Sequence, residues 1–250
     1  DGRTGQVTGA EALLRWQHPE RGNISPVEFI PIAERFGLIG RLGQWVTDEA
    51  CRQIKEWMGM GLRMRVAINI SPYQMRQDDL VDRLTAALAR HHLQPGRFTC
   101  EITESVAMED TQVTQRSFER MRHAGLHVSI DDFGVGQASL SYLRRLPAAE
   151  LKIDASFVQD LGHSADARSI VDAVVKLAHA LGLRVVAEGV ETERQRDQLV
   201  QLDCDELQGF LFAKPMSAAQ LAAWAQLSAE PGPAQSAEFR ASLFEDTQPV

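Results

Sequence analysis

The chain has 250 residues, 44% of them hydrophobic and 24% charged, which fits one large soluble globular domain. Its formal net charge of -8 argues against non-specific binding to nucleic acid polymers or anionic membranes, because that affinity comes from clustered Lys and Arg; a small phosphate ligand stays open where a divalent cation reverses the local field. No apolar run reaches the roughly 20 residues that span a bilayer, and the polar start Asp1-Gly2-Arg3 is no signal peptide. Three scattered cysteines, Cys51, Cys100 and Cys204, lack Cys-x-x-Cys spacing, so a reducing cytoplasmic setting with free buried thiols is expected, without zinc or disulfides.

In chain order, residues 7–16 read as a strand that carries an acid, Glu11. Ser25 and Pro26, with Glu28, form an N-cap signal that opens a helix through about Phe36. A second helix runs to about Met58, with Leu42, Trp45, Val46, Ala50, Ile54 and Trp57 at helical spacing. From there the pattern alternates. Strands are predicted at 64–70, 97–102, 126–131, 149–153, 183–188 and 205–210, followed by helices near 79–91, 110–124, 139–145, 165–181, 192–202 and 217–227. Such alternation indicates a parallel sheet with its crossovers outside. The count is seven strands, and a closed barrel of this kind takes eight, so either the sheet is open or an eighth strand lies upstream of Asp1; the abrupt start in Asp1-Gly2-Arg3-Thr4-Gly5, a hairpin turn with nothing ahead of it to pair, favours the second, as part of a longer protein. The predicted domain covers 1–227; residues 228–250, opening Ser228-Ala229-Glu230-Pro231-Gly232-Pro233, read as a linker or flexible tail.

Nearly every predicted strand carries a polar residue at or near its end: Glu11, Asn69, Glu101, Asp131 with Asp132, Lys152, Glu188 and Gln208. Each alone has an ordinary use as a turn former, a cap or a surface side chain. Parallel barrels, however, open the carboxyl ends of all strands on one face, so these residues are expected to converge. The stretch from His127 to Gly136 is the sharpest case, since it ends a buried strand on two adjacent carboxylates, which repel unless a cation or a hydrogen-bond network compensates them. Oxygen-rich surroundings suit Mg²⁺ or Mn²⁺, and a pair of such ions suits phosphoryl displacement. The seven histidines form no HExxH or HxH pattern, and neither a Gly-x-Ser-x-Gly elbow nor a P-loop is present.

Together, Glu11-Ala12-Leu13-Leu14-Arg15, Asn69-Ile70-Ser71, Glu101-Ile102-Thr103-Glu104, Asp131-Asp132-Phe133-Gly134, Leu151-Lys152-Ile153-Asp154, Ala187-Glu188-Gly189-Val190-Glu191 and Gln208-Gly209-Phe210 resemble, in order and spacing, the EAL family of cyclic di-GMP phosphodiesterases. The resemblance implies an α/β fold, a modified TIM (β/α)8 barrel whose first strand is antiparallel and lies upstream of this chain. It implies two Mg²⁺ or Mn²⁺ ions per site, held by Glu11, Asn69, Glu101, Asp131 and Asp132, with Asp131 bridging. It makes Lys152 and Glu188 catalytic, the lysine orienting the attacking water and the glutamate acting as general base or positioning group. Leu13, Arg15 and Gln208 are implied to contact substrate, Glu104 to pin the loop after Asp132, and Glu191 to support the site from behind.

The implied reaction is in-line attack of metal-activated water on one phosphodiester of cyclic di-GMP, giving linear pGpG. The implied setting is bacterial signalling of biofilm and motility by a homodimeric cytoplasmic domain, with a sensor or cyclase-like module upstream in a full-length protein for which a membrane anchor stays open. Three features depart from the family pattern: the missing upstream strand with its substrate-contacting Gln; Val135, Gln137 and Ala138 where Thr, Tyr and Ser are usual; and Phe210 in place of Tyr. The main rival reading is a degenerate barrel that binds cyclic di-GMP as a receptor. Such relatives typically lose metal ligands or the lysine, and all are present here. A carbonyl-directed metal enzyme has no reason to reproduce all seven motifs, and a structural module would not tolerate so many buried charges.

Overall fold

A computed structural model describes residues 1–109, 111–136, 143, 144, 146–162 and 164–228. These residues gather into two compact units, one of Gln6–Phe98 with the described residues from Pro215 to Ser228, the other of Asp1–Gly5 with the described residues of Thr99–Lys214.

In the first unit, β1 (Gly9–Ala12) lies parallel to its neighbour, and Trp16–His18 (β2) forms an antiparallel hairpin with Gly22–Ile24 (β3). The strand predicted over 7–16 is therefore shorter and divided. The chain leaves the ladder at Leu13, and Gly22, at φ 70°, supplies the left-handed turn that folds Trp16 back. The Trp16 ring packs edge-on against Phe29, 5.5 Å between centroids, and fastens the hairpin to α1 (Pro26–Arg35). Helix α2 (Ile39–Gly59) buries Ile39, Ala50, Cys51, Ile54 and Trp57. β4 (Arg65–Asn69) is the partner of β1, with Glu11 opposite Ala67. A one-turn helix that the periodicity missed, α3 (Pro72–Met75), is closed by a capping box between Ser71 and Gln74 before α4 (Leu80–Arg90).

The second unit carries five parallel strands side by side in chain order: β5 (Phe98–Thr103, from Thr99), β6 (His127–Phe133), β7 (Glu150–Ile153), β8 (Arg184–Ala187) and β9 (Glu206–Leu207). Its helices are α5 (Glu104–Ala107), α6 (Gln112–His123), α7 (Ala155–Asp160), α8 (Ala165–Ala180) and α9 (Glu193–Gln201). Ile102, Val128, Ile130, Leu151, Ile153 and Val185 from the strands are buried with Phe118, Met121, Val171, Val175 and Leu199 from the helices. α10 (Ala218–Ser228), which belongs with the first unit, accepts a hydrogen bond from Trp57 Nε1 at Ala218 O, 3.3 Å.

The α/β class with parallel strands agrees with the sequence, and the structure corrects three boundaries. β6 continues through Asp131 and Asp132 to Phe133, β9 is two residues long where six were expected, and α10 includes Ser228, where a linker was expected. The short helix expected near 139–145 and the tail beyond 228 fall outside the described residues, apart from Leu143 and Arg144. Among the described residues no helix is long and apolar enough to cross a membrane.

All three cysteines are buried and free. Burial pushes the Cys100 and Cys204 thiols up to about 12 and that of Cys51 to about 11, from an ordinary 9.0. A thiol raised in the folded state favours folding fully below its unfolded value, and that contribution is lost as pH rises from about 9 toward 12. Between those limits each thiol contributes a slope of about 1.4 kcal/mol per pH unit. Urea titrations at pH 9.5 to 11 should therefore show a slope shallower by about that amount in Cys100→Ala than in the parent chain; an unchanged slope would mean that Cys100 ionises as freely folded as unfolded.

Candidate active site

Alternation along the second unit's strands puts one set of polar residues on a single face. Strand β5 contributes Thr99 and Glu101, β6 Ser129 and Asp131, β7 Glu150 and Lys152, and the register sets Ser129 beside both Glu101 and Glu150. Near the strand starts an ion pair joins Arg184 and Glu206 at 2.7 Å, a polar layer that the motifs did not announce. Near the strand ends lies Lys152, only 2% exposed, with Nζ 2.8 Å from Glu101 Oε1, 2.7 Å from Glu188 Oε1 and 3.3 Å from Asp131 Oδ1. Burying an ammonium is costly without such partners, and Glu101, 3% exposed, needs the ammonium equally.

Adjacent residues of a regular strand point to opposite faces, so Asp131 and Asp132 should diverge. A bulge prevents this. Ile130 pairs with Leu151 and Phe133 with Ile153, so both aspartates stand opposite the single residue Lys152. Asp132 absorbs the extra length at φ 57°, a left-handed conformation that Asp tolerates better than most residues. As a result, one carboxylate oxygen each from Asp131, Asp132 and Glu188 lie within 4.8 Å of one another. With Glu101 the group has four carboxylates against one ammonium, and hard oxygen donors in this number fit Mg²⁺ or Mn²⁺. Glu188, expected as general base or positioning group beside the lysine, is also one of the three oxygen donors that meet.

The neighbouring backbone is held close. Glu104, buried, accepts the N–H of Gly134 through Oε2 at 2.7 Å and lies against Gly136 with no room for a Cβ. Val135 is exposed there, and Gln137 and Ala138 lie outside the described residues. Glu188 and Gln208 sit one position past their strands. Glu188 N–H donates to Ile153 O at 3.1 Å, Gln208 N–H to Ala187 O at 2.8 Å, and Val190 N–H to Gln208 O at 3.0 Å. Gly209 packs on the Val190 backbone, where a Cβ would collide with both its N and its O. The Gln208 and Phe210 side chains are exposed. Glu191 is exposed, and its N–H donates to Gln195 Oε1 at 2.9 Å. Sequence reasoning passed over Gln195, although Thr192 three residues ahead of it is a readable capping-box signature.

The first unit holds the other assigned residues. Asn69 Nδ2 donates to Glu11 Oε1 at 2.8 Å, so the ends of β1 and β4 bring these two together. Leu13 and Arg15 are exposed beyond β1, and Arg15 Nη1 donates to Leu14 O at 3.0 Å.

The EAL domain family matches residues 1–215. The chain is 49% identical over 220 residues to the bifunctional diguanylate cyclase/cyclic di-GMP phosphodiesterase MucR of Pseudomonas aeruginosa, covering 88% of this chain and 32% of that protein. It is 39% identical over 221 residues to the cyclic di-GMP phosphodiesterase PA2567 of the same organism, covering 88% and 38%. The chain therefore spans about a third of the length of these curated relatives. Among solved structures, the PaMucR phosphodiesterase in complex with c-di-GMP superimposes with a TM-score of 0.83 at 48% identity, over 87% of this chain and 89% of that one. The EAL domain of Mycobacterium smegmatis DcpA gives 0.77 at 36%, over 92% and 94%. By family match and by relatives on this scale, the chain belongs to the EAL domain family.

Proposed function

We propose that the chain is a metal-dependent phosphodiesterase that opens cyclic di-GMP to linear pGpG. The observation that carries the reading is the buried Lys152 ammonium set among Glu101, Asp131 and Glu188, with Asp132 turned by the bulge to join two of those acids. The substrate class comes from family membership and from what its relatives are named for.

Asp131, Asp132 and Glu188 would hold divalent cations, and the family resemblance adds Glu101, Glu11 and Asn69 to that set. Bound Mg²⁺ or Mn²⁺, two per site in this reading, supplies neutralisation of phosphate charge and acidification of water. The chain's own groups do the rest. Glu188 takes the proton of the attacking water at its carboxylate. Lys152 donates from Nζ toward the water and the phosphate oxygens, its direction fixed by the acids around it. Arg15, with its planar fork, takes a phosphate, while Leu13 and Gln208 border the substrate. Glu104 and Glu191 keep the flanking loops in place. The proposal extends to closure of the barrel by an antiparallel strand upstream of Asp1, to a homodimer, and to an upstream sensor or cyclase-like module in bacterial signalling.

The test is incubation of the full chain with cyclic di-GMP and Mg²⁺ or Mn²⁺, with and without EDTA, followed by chromatography. Metal-dependent appearance of pGpG is the expected result. Saturable binding of the nucleotide with no product would replace the enzyme by a receptor.

A further inference from the structure

The acids that surround Lys152 come from different strand ends, and one short helix touches two of those ends while being fused to the strand of the lysine itself. Helix α7 begins directly after Lys152, Ile153 and Asp154, so its first turn is fixed to the strand that carries the lysine. Asp154 caps that turn, its carboxylate accepting the Ser156 N–H at 3.0 Å. Toward β6, the Phe157 ring lies against Gly134, where a Cβ would stand 2.7 Å from the ring edge. Toward β8, the Ala155 methyl lies against Gly189, 2.5 Å from where a Cβ would stand. Both glycines have positive φ, 103° and 67°, so each contact bears on the backbone of a tight turn. Gln195, 8% exposed, adds a third tie. Its Nε2 donates to Val158 O of α7 at 3.2 Å, while its Oε1 accepts the N–H groups of Glu191 and Thr192 at 2.9 Å each.

These contacts resist displacement in a particular direction. Close-packed atoms tolerate little compression, so a ring against Gly134 limits how far the Asp131–Asp132 bulge can sink toward α7. The methyl against Gly189 does the same for the turn that carries Glu188. Glu104 also accepts the N–H of Gly134, so the bend has a tie besides the ring. The distance between Asp132 and Glu188 therefore depends on the bulk that the first turn of α7 places between their loops.

We propose that this turn, Ala155–Phe157, is a positioning element for the divalent-cation ligands, with Phe157 setting the Asp131–Asp132 bend and Ala155 seating the turn of Glu188. The inference rests on the reading of the acid group as a cation site. Neither residue is assigned contact with substrate or with the ion. Removing a group that orients metal ligands typically lowers affinity by about 10- to 100-fold, and ligand constellations lose function when loosened by roughly 1 Å.

The experiment is a Mn²⁺ titration of the full chain, read from the electron paramagnetic resonance signal of free Mn²⁺ and needing no nucleotide. Phe157→Ala is expected to weaken Mn²⁺ binding about 10-fold or more, and Phe157→Leu, which restores apolar bulk, to recover most of it. Turnover of cyclic di-GMP by Phe157→Ala should return at high Mn²⁺ with KM for the nucleotide unchanged, in protein that circular dichroism shows to be folded already in EDTA, so that the rescue is not refolding by mass action. Ala155→Gly removes only a methyl and keeps the fold accessible should Phe157→Ala fail to fold; it is expected to weaken binding severalfold. Gln159→Ala, on the exposed side of the same helix, should leave affinity unchanged. Wild-type Mn²⁺ affinity in the folded Phe157 and Ala155 variants would overturn the proposal, as would no Mn²⁺ uptake by the parent chain. Mn²⁺ uptake that depends on Phe157, in a protein that leaves cyclic di-GMP intact, would uphold the positioning role and overturn the phosphodiesterase reading alone.

Discussion

Replacing Lys152 by Met is expected to lower turnover of cyclic di-GMP by about 10²- to 10³-fold with KM nearly unchanged, because the lost ammonium acts on charge that develops during the reaction more than on the bound substrate. Met keeps the length and loses the charge. A second effect follows from the same distances. Glu101 Oε1 and Glu188 Oε1, at 2.8 and 2.7 Å from Nζ, would lose their cation, and Glu101 is almost fully buried. Removing one partner of a buried pair costs about 3–5 kcal/mol. In a chain of this size that corresponds to a melting temperature lower by about 10 °C in EDTA. Added Mg²⁺ should restore part of the loss, since it compensates the same carboxylates. Calorimetry with and without EDTA, beside steady-state kinetics, separates the two effects. A folded variant with the parental kcat would remove Lys152 from the mechanism.

Asp132→Asn is expected to act in opposite directions on activity and stability. Asparagine is among the few residues that accept the left-handed conformation, so the bend at φ 57° should survive. The charge does not survive. One of the three oxygen donors that lie within 4.8 Å of one another becomes a neutral amide, and turnover should fall by about a hundredfold or more. Without metal, the same change relieves repulsion among neighbouring carboxylates, so the melting temperature in EDTA should rise. Parental turnover, or a lower melting temperature in EDTA, would count against the cation-binding assignment of Asp132.

Much of this was legible from residue type and spacing. Lys152 between Leu151 and Ile153, and Glu101 within Phe98–Thr103, announce charges on buried strands, and both proved buried. The long helices followed from their apolar periodicity. What escaped was local geometry that periodicity does not encode. Strict alternation sends Asp131 and Asp132 to opposite faces, and only the bulge against β7 brings both toward Lys152. The three-residue strands of the Trp16–Ile24 hairpin, the one-turn helices α3 and α5 and the six-residue α7 are too short to show a period, although the capping residues at Ser71 and Asp154 were there to be read. Glu188 was singled out as general base or positioning group, whereas its closeness to both aspartates depends on how β8 ends, held by the hydrogen bond from Glu188 N–H to Ile153 O.

The lysine among the acids also bears on how such a protein can be made and handled. In small zinc domains the binding free energy of the ion is the folding free energy, and they unfold when it is withdrawn. Here an ammonium belonging to the chain already faces Glu101, Asp131 and Glu188, so assembly of the strands does not wait for an ion. If the proposed phosphodiesterase reading holds, folding and metal loading would be separate events: the polypeptide would reach its final shape and then take up Mg²⁺ or Mn²⁺, so that supply of the ion would set when it works without deciding whether it survives.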